Sequence, residues 1–260
     1  MIPKILHYCW FGGQPKSAKI KKCIQSWKKY CPDFRIVEWN ETNFNYEIVP
    51  YCKTAYHFKK WAFVTDYVRL KVLYDYGGIY MDTDVELIKP IDSFLEDDCF
   101  MGFQHEKYVN NGLITGAVKH HPFIKENMEI YENLNFVNEA DSTNFIVCQK
   151  YTTDLLEKKG LKLPCDGTIQ RINNICIFPP EYFCPFDHRT YKMNITPNTV
   201  AIHHFASSWW DEKRKREYNA IKWKNRIHRI QHLPNRLLIH ALGNDKYEEI
   251  KEKLKGGRRK

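Results

Sequence analysis

The chain of 260 residues is 43% hydrophobic, 15% aromatic and 27% charged, which is enough apolar material for a sizeable core and excludes a mainly disordered protein. Its formal charge of +9 suggests an anionic partner, but residues 211–260 hold 16 Lys+Arg against 7 Asp+Glu and so carry the whole excess, leaving 24 of each sign in residues 1–210. The chain therefore reads as a neutral globular body over 1–210 with a basic appendage over 211–260. The neutral body and the lack of a recognised binding motif argue against nucleic acid as partner.

In chain order, residues 5–10 read as a short buried strand ended by Gly12-Gly13. Residues 17–30 read as a helix with Ser17 as N-cap and Ile20, Ile24 and Trp27 along one face. Residues 34–39 alternate as a second strand, and 40–45 are loop. The clearest helix is 62–76, where Phe63, Tyr67, Leu70 and Tyr74 form one stripe and Gly77-Gly78 supplies the stop. Short strands follow at 79–81 and 85–88, with further strands at 100–104 and 113–118. A helix over 122–133 begins with Pro. Another helix, over 143–159, ends at Gly160, and 161–210 read as loops and short strands. Alternating strands and helices predict an α/β sheet of mostly parallel strands, which presents ligands at strand carboxyl ends.

Nine scattered Cys contain no C-x-x-C pair, which disfavours a zinc ribbon or redox motif and fits a reducing cytosol. No run approaches 18 apolar residues, so no transmembrane helix is expected. The N-terminus lacks a signal-peptide core, and the expected location is cytoplasmic.

Asp82-Thr83-Asp84 follows the 79–81 strand. In extended backbone, residues i and i+2 point to one side, so both carboxylates can serve a single divalent cation. Hard oxygen ligands suit Mg²⁺ or Mn²⁺, which bridge diphosphate oxygens. With 14 Asp in the chain, roughly 0.7 such pairs arise by chance, so an acidic turn is the competing reading and context must decide. Asp66 and Arg69 share a face of the preceding helix at i, i+3. They are either a surface ion pair or groups for sugar hydroxyls and phosphate. Far along the chain stands His203-His204, followed by Ser207 and Trp209. These histidines are either ordinary core or surface residues, or one of them completes a mixed nitrogen–oxygen metal site, which favours Mn²⁺. Ser207 and Trp209 could donate to phosphate oxygens.

Residues 61–69 (WAFVTDYVR) and 76–84 (YGGIYMDTD) closely resemble the D-x-D sugar-binding region of glycosyltransferase family 32. That family includes capsular polysaccharide transferases and mannosyltransferases. Residues 2–13, 110–117 with His121-Pro122, and 203–209 resemble further motifs of the same family. The resemblance implies a GT-A fold, an α/β body with a Rossmann-like nucleotide half. It implies transfer of a sugar from a nucleotide-sugar donor, with UDP as the chosen nucleotide, and retention of anomeric configuration. Trp10 would stack on the nucleobase, with a core aromatic as its other role. Asp66 and Arg69 would contact donor sugar and phosphates, and Tyr80 would lie beside the nucleoside. Asp82 would bind ribose or sugar and reach the metal, Asp84 would ligate it, and His204 would be the third protein ligand. Asn110 or Asn111 would contact the sugar, with Ser207 and Trp209 on the diphosphate.

The metal would stabilise charge growing on the leaving diphosphate. Front-face attack, in which the leaving phosphate takes the acceptor's proton, is favoured over double displacement because the motifs supply no protein nucleophile. In the appendage, 217–233 carries Ala220, Trp223, Ile227 and Ile230 at helical spacing with basic residues off that stripe. Residues 237–242 are a second apolar stretch, and Asp245 with Glu248 could cap a third helix to Lys255. This helical appendage either lies on an anionic inner leaflet beside a lipid-linked oligosaccharide or glycan acceptor, making the enzyme peripheral, or packs on the body. The competing functions are a metal-dependent nucleotidyl- or phosphotransferase and a nucleic-acid-binding protein acting through its tail.

Overall fold

Short apolar segments alternate with helices along the first half of the chain, and the helices cover both faces of the sheet. The computed structural model describes residues 1–136, 147–187 and 192–205, together with Arg216 and Lys246. The chain divides into two units, Met1–Trp209 and Trp210–Lys260. The expected tail helices, the start of the helix expected from 143, Ser207 and Trp209 all lie outside the described residues.

β1 (Ile5–Cys9) leads to α1 (Ala18–Tyr30), which Ser17 caps by accepting from the Ile20 N–H at 3.3 Å. After β2 (Arg35–Trp39) comes α2 (Pro50–His57), which sequence periodicity did not anticipate; Pro occupies its first turn. α3 (Trp61–Tyr76) ends at Gly77, whose φ of 64° suits glycine and whose N–H returns to the Leu73 carbonyl at 2.9 Å. The chain then enters β3 (Gly78–Tyr80), the D-x-D turn and β4 (Val85–Leu87). Next come β5 (Cys99–His105), β6 (Tyr108–Ala117) and α4 (Pro122–Glu132), which starts at Pro as expected with His121 as its cap. α5 (Cys148–Lys158), β7 (Gln170–Ile172), β8 (Ile175–Phe178) and α6 (Pro180–Phe183) follow. β9 (Phe186–Asp187), β10 (Lys192–Met193) and β11 (Ala201–His203) close the described body.

The α/β class read from the sequence is observed. The main sheet has seven strands in the order β2-β1-β3-β6-β5-β8-β7. β2, β1, β3, β5 and β8 point one way, while β6 and β7 run against them, so the sheet is mixed with a parallel majority. Side chains alternate across it and build a core on each face. Cys9, Tyr80, Met101 and Phe103 pack with α2, α3, α4 and α5. Leu6, Tyr8, Ile79 and Phe100 pack on the other side with Trp27 of α1 and Phe183 of α6. All nine Cys are free thiols and eight are buried, so they serve as small core residues. Among the described residues, no helix is long and apolar enough to cross a membrane.

Two departures from regularity place the site. Pairing of β6 with β5 jumps from Met101↔Thr115 to Gly102↔Asn110, so residues 111–114 form a bulge. A separate antiparallel pair joins β4 to β11, with Val85 opposite His203. That pair carries a residue from the far end of the body to the D-x-D turn.

Candidate active site

Asp82 and Asp84 come together through a turn rather than through extended alternation. The Val85 N–H donates to the Asp82 carbonyl at 3.0 Å. The Asp82 N–H in turn donates to the Gly112 carbonyl of the bulge at 2.9 Å. Trp27 fixes the next residue, its indole N–H reaching the Val85 carbonyl at 2.8 Å. The turn is thus held by α1 on one side and β6 on the other.

His203 brings the third group. One potential ligand atom from each of Asp82, Asp84 and His203 lies within 4.8 Å of the other two. His203 Nε2 stands 3.2 Å from Asp84 Oδ1. His204, the expected ligand, instead meets Glu86 Oε2 at 2.7 Å, and its N–H pairs with the Asp84 carbonyl at 3.0 Å. The correction has a simple cause: adjacent residues of an extended chain face opposite sides, and the β11–β4 register turns His203 toward the carboxylates. Burial opposes protonation of His203, but the Asp84 carboxylate outweighs it and pushes the imidazole up to about 10. Its buried Nδ1 has no hydrogen-bond partner. Two carboxylates and an imidazole, converging and mostly covered, fit a divalent cation, and the nitrogen favours Mn²⁺ over Mg²⁺.

Behind this set lies Arg69, only 3% exposed, beside Asp66 at 5%. It is not a surface residue. Arg69 Nη2 lies 3.1 Å from Asp66 Oδ1 and 3.4 Å from Asp82 Oδ1. Nη1 donates to Asn111 Oδ1 at 3.1 Å and to Cys148 Sγ at 3.5 Å, and Nε donates to the Thr65 carbonyl at 3.3 Å. The guanidinium is thus surrounded by one carbonyl, one amide, one thiol and two carboxylates of the protein. Burial pushes Asp66 up to about 6 against the pull of Arg69. Burial also raises Asp82, Arg69 opposes the rise and nearby Asp84 adds to it.

The other expected residues are also accounted for. Tyr80 is 1% exposed; its hydroxyl donates to Asp82 Oδ1 at 2.9 Å and its ring lies 5.2 Å from the Arg69 guanidinium carbon. Its hydroxyl thus bears directly on the Asp82 carboxylate. Asn110 donates to Gln104 Oε1 at 2.9 Å and accepts from the Gly112 N–H at 2.7 Å. Asn111, fully buried, accepts from Arg69 and donates to Thr152 Oγ1 at 3.0 Å. Both amides thus have internal partners. Trp10 is half-buried just past β1; its indole N–H donates to the Gln14 carbonyl at 2.6 Å and Lys16 Nζ lies 5.2 Å from its ring. Sequence reading gave no role to Gly112, within the 110–117 motif, or to Cys148 and Thr152, because only folding brings them to Arg69 and Asn111. Gly112 has a specific role: a Cβ there would overlap Arg69 Nη1 and Asp82 Oδ2.

The sheet, the acidic turn at the end of β3 and the His–carboxylate set define an α/β protein with a candidate metal centre. Residues 17–101, which include Asp66, Arg69, Tyr80, Asp82 and Asp84, match the family described as glycosyltransferase sugar-binding region containing DXD motif. Glycosyltransferases are among the relatives found by sequence. An alpha-1,4-N-acetylglucosaminyltransferase of Homo sapiens is 31% identical over 141 residues, covering 52% of this chain and 37% of the relative. Inositol phosphoceramide mannosyltransferase 3 of Schizosaccharomyces pombe is 28% identical over 145 residues, covering 51% and 37%. The match thus spans well under half the length of these relatives. Among solved structures, PaToxG glycosyltransferase superposes with a TM-score of 0.49 at 20% identity, covering 61% of this chain and 69% of that one.

Proposed function

We propose that the chain is a retaining, metal-dependent glycosyltransferase of the GT-A type, related to glycosyltransferase family 32. It moves a sugar from a nucleotide-sugar donor, a UDP-sugar, to a glycan or lipid-linked acceptor. The observation that carries this reading is the convergence of Asp82, Asp84 and His203 at the carboxyl end of β3, with both aspartates inside the matched sugar-binding stretch.

These three residues would hold Mn²⁺ or Mg²⁺, and the cation would supply charge stabilisation for the leaving diphosphate. The chain's own residues do the positioning. Tyr80 and Arg69 both hold Oδ1 of Asp82, and Gly112 allows Arg69 and Asp82 to approach. Arg69 also engages Asp66, and a carboxylate held by a guanidinium is a weak nucleophile. That pairing supports front-face attack over a covalent intermediate on Asp66 or Asp82; either route would retain configuration.

The relatives' names cover N-acetylglucosamine and mannose transfer, one of them to a phosphoceramide lipid, so the donor is assayed as a panel. Incubation with UDP- and GDP-sugars and Mn²⁺ should release one nucleoside diphosphate, and chelation by EDTA should stop the release. NMR of the transferred product should show the donor's anomeric configuration. An inverted product would refute retention, and release unaffected by EDTA would refute the metal site. The cytoplasmic, membrane-peripheral placement is part of the same proposal and rests on the basic residues 211–260.

A further inference from the structure

We infer that Thr152 of α5 is a positioning residue that sets Arg69 between Asp66 and Asp82 by bracing the β6 bulge. The inference rests on the proposed function and extends it to a part of the chain outside the matched sugar-binding stretch. Asn111 and Gly112 belong to the bulge, where the sheet register no longer dictates side-chain direction. Something other than the ladder must therefore aim the Asn111 amide at Arg69.

Thr152 does so. Its Oγ1 accepts from Asn111 Nδ2 at 3.0 Å and from Asn127 Nδ2 of α4 at 2.9 Å. Thr152, Asn111 and Asn127 are all fully buried. The neighbouring Thr153 accepts from the Val109 N–H at 3.0 Å, just before the bulge. Thr115 closes the bulge from within, its hydroxyl donating to the Asn111 carbonyl at 2.9 Å. A chain of contacts thus runs from α4 through Thr152 and Asn111 to Arg69 Nη1, with Arg69 Nη2 on the two carboxylates. Asn111 has a partner at each end of its amide, Arg69 on the oxygen and Thr152 on the nitrogen, and these set its orientation. Without the Thr152 oxygen, Asn111 is free to rotate and Arg69 loses a fixed partner on Nη1. Asp82 then shifts relative to Asp84 and His203.

The test compares wild type, Thr152→Val and Thr152→Ser. Thr152→Val keeps the shape and removes the acceptor, whereas Thr152→Ser keeps the oxygen. In Mn²⁺-dependent donor turnover, Thr152→Val should lower kcat about 10-fold with the donor KM within about 2-fold, and Thr152→Ser should restore wild-type values. Mn²⁺ titration followed by electron paramagnetic resonance should show Kd raised about 3-fold or more in Thr152→Val alone. If Thr152→Val does not fold, Asn127→Ser, which removes the second donor on the Thr152 oxygen, should shift both readings the same way. Thr152→Val with wild-type kcat and Mn²⁺ affinity would overturn the inference, as would Thr152→Ser as impaired as Thr152→Val. A wild type that binds Mn²⁺ but turns over no donor would overturn the proposed function, and the Mn²⁺ titration alone would then decide on Thr152. A wild type that binds no Mn²⁺ would overturn both.

Discussion

A guanidinium buried between two carboxylates constrains all three groups. Removing Arg69 would leave Asp66 and Asp82 facing each other with no compensating charge, and breaking a buried ionic group in this way costs about 3–5 kcal/mol. Arg69→Met should lower the urea unfolding free energy by about that amount. The two histidines separate just as cleanly. His203→Ala should weaken Mn²⁺ binding about 10-fold or more, while His204→Ala, which loses only Glu86, should stay within about 3-fold, read by calorimetric titration. Gly112→Ala should force Arg69 and Asp82 apart and reduce metal affinity and turnover together. The sequence displayed the aspartates, the arginine and the histidine pair, because residue types and spacing advertise ligand chemistry. It did not reveal which histidine turns inward, since that depends on where β11 pairs with β4. It also did not reveal that Arg69 is enclosed, since every partner except Asp66 and Thr65 comes from elsewhere in the chain.

At the scale of elements, β1, β2 and the end of α3 meet at His7. Its Nε2 lies 2.8 Å from the Gly77 carbonyl, and its Nδ1 accepts from the Trp39 indole N–H at 3.0 Å. Nε2 therefore carries the proton, and a second proton on Nδ1 would oppose the indole donor. Burial, the largest influence, pushes this imidazole from 6.5 down to about 4. Above pH 6.5 the ring is neutral in both states and adds no pH dependence. Below 6.5 the unfolded chain binds the proton first, so stability falls as pH drops and levels off near 4. The loss is about 3 kcal/mol. Urea titrations from pH 7 to 4 should show wild type losing about that much more than His7→Gln; parallel curves would refute the assignment. The helices at Ala18–Tyr30 and Trp61–Tyr76 were legible because each combines an apolar stripe with a cap or a glycine stop. α2 was not, because its eight residues are too short a run for the Tyr51, Cys52 and Ala55 stripe to stand out. The β6 bulge left only Gly112 as a local signal, since its bounds are set by where β5 stops pairing.

At the scale of the whole molecule, charge and chemistry separate. Residues 1–210 balance their charges, and the site's affinity for an anionic donor would come from a cation held by three side chains rather than from a basic surface. The net charge of residues 211–260 should appear as salt-dependent association with anionic vesicles, seen by flotation at low salt and lost at high salt. The most direct test of the account is Mn²⁺-dependent release of nucleoside diphosphate from a nucleotide-sugar panel by wild type and Asp84→Asn. Wild type should turn over one donor, and Asp84→Asn should fall on the order of 100-fold or more while remaining folded. An Asp84→Asn variant with the wild-type rate would contradict the assignment of Asp82, Asp84 and His203 as the metal centre of a sugar transferase.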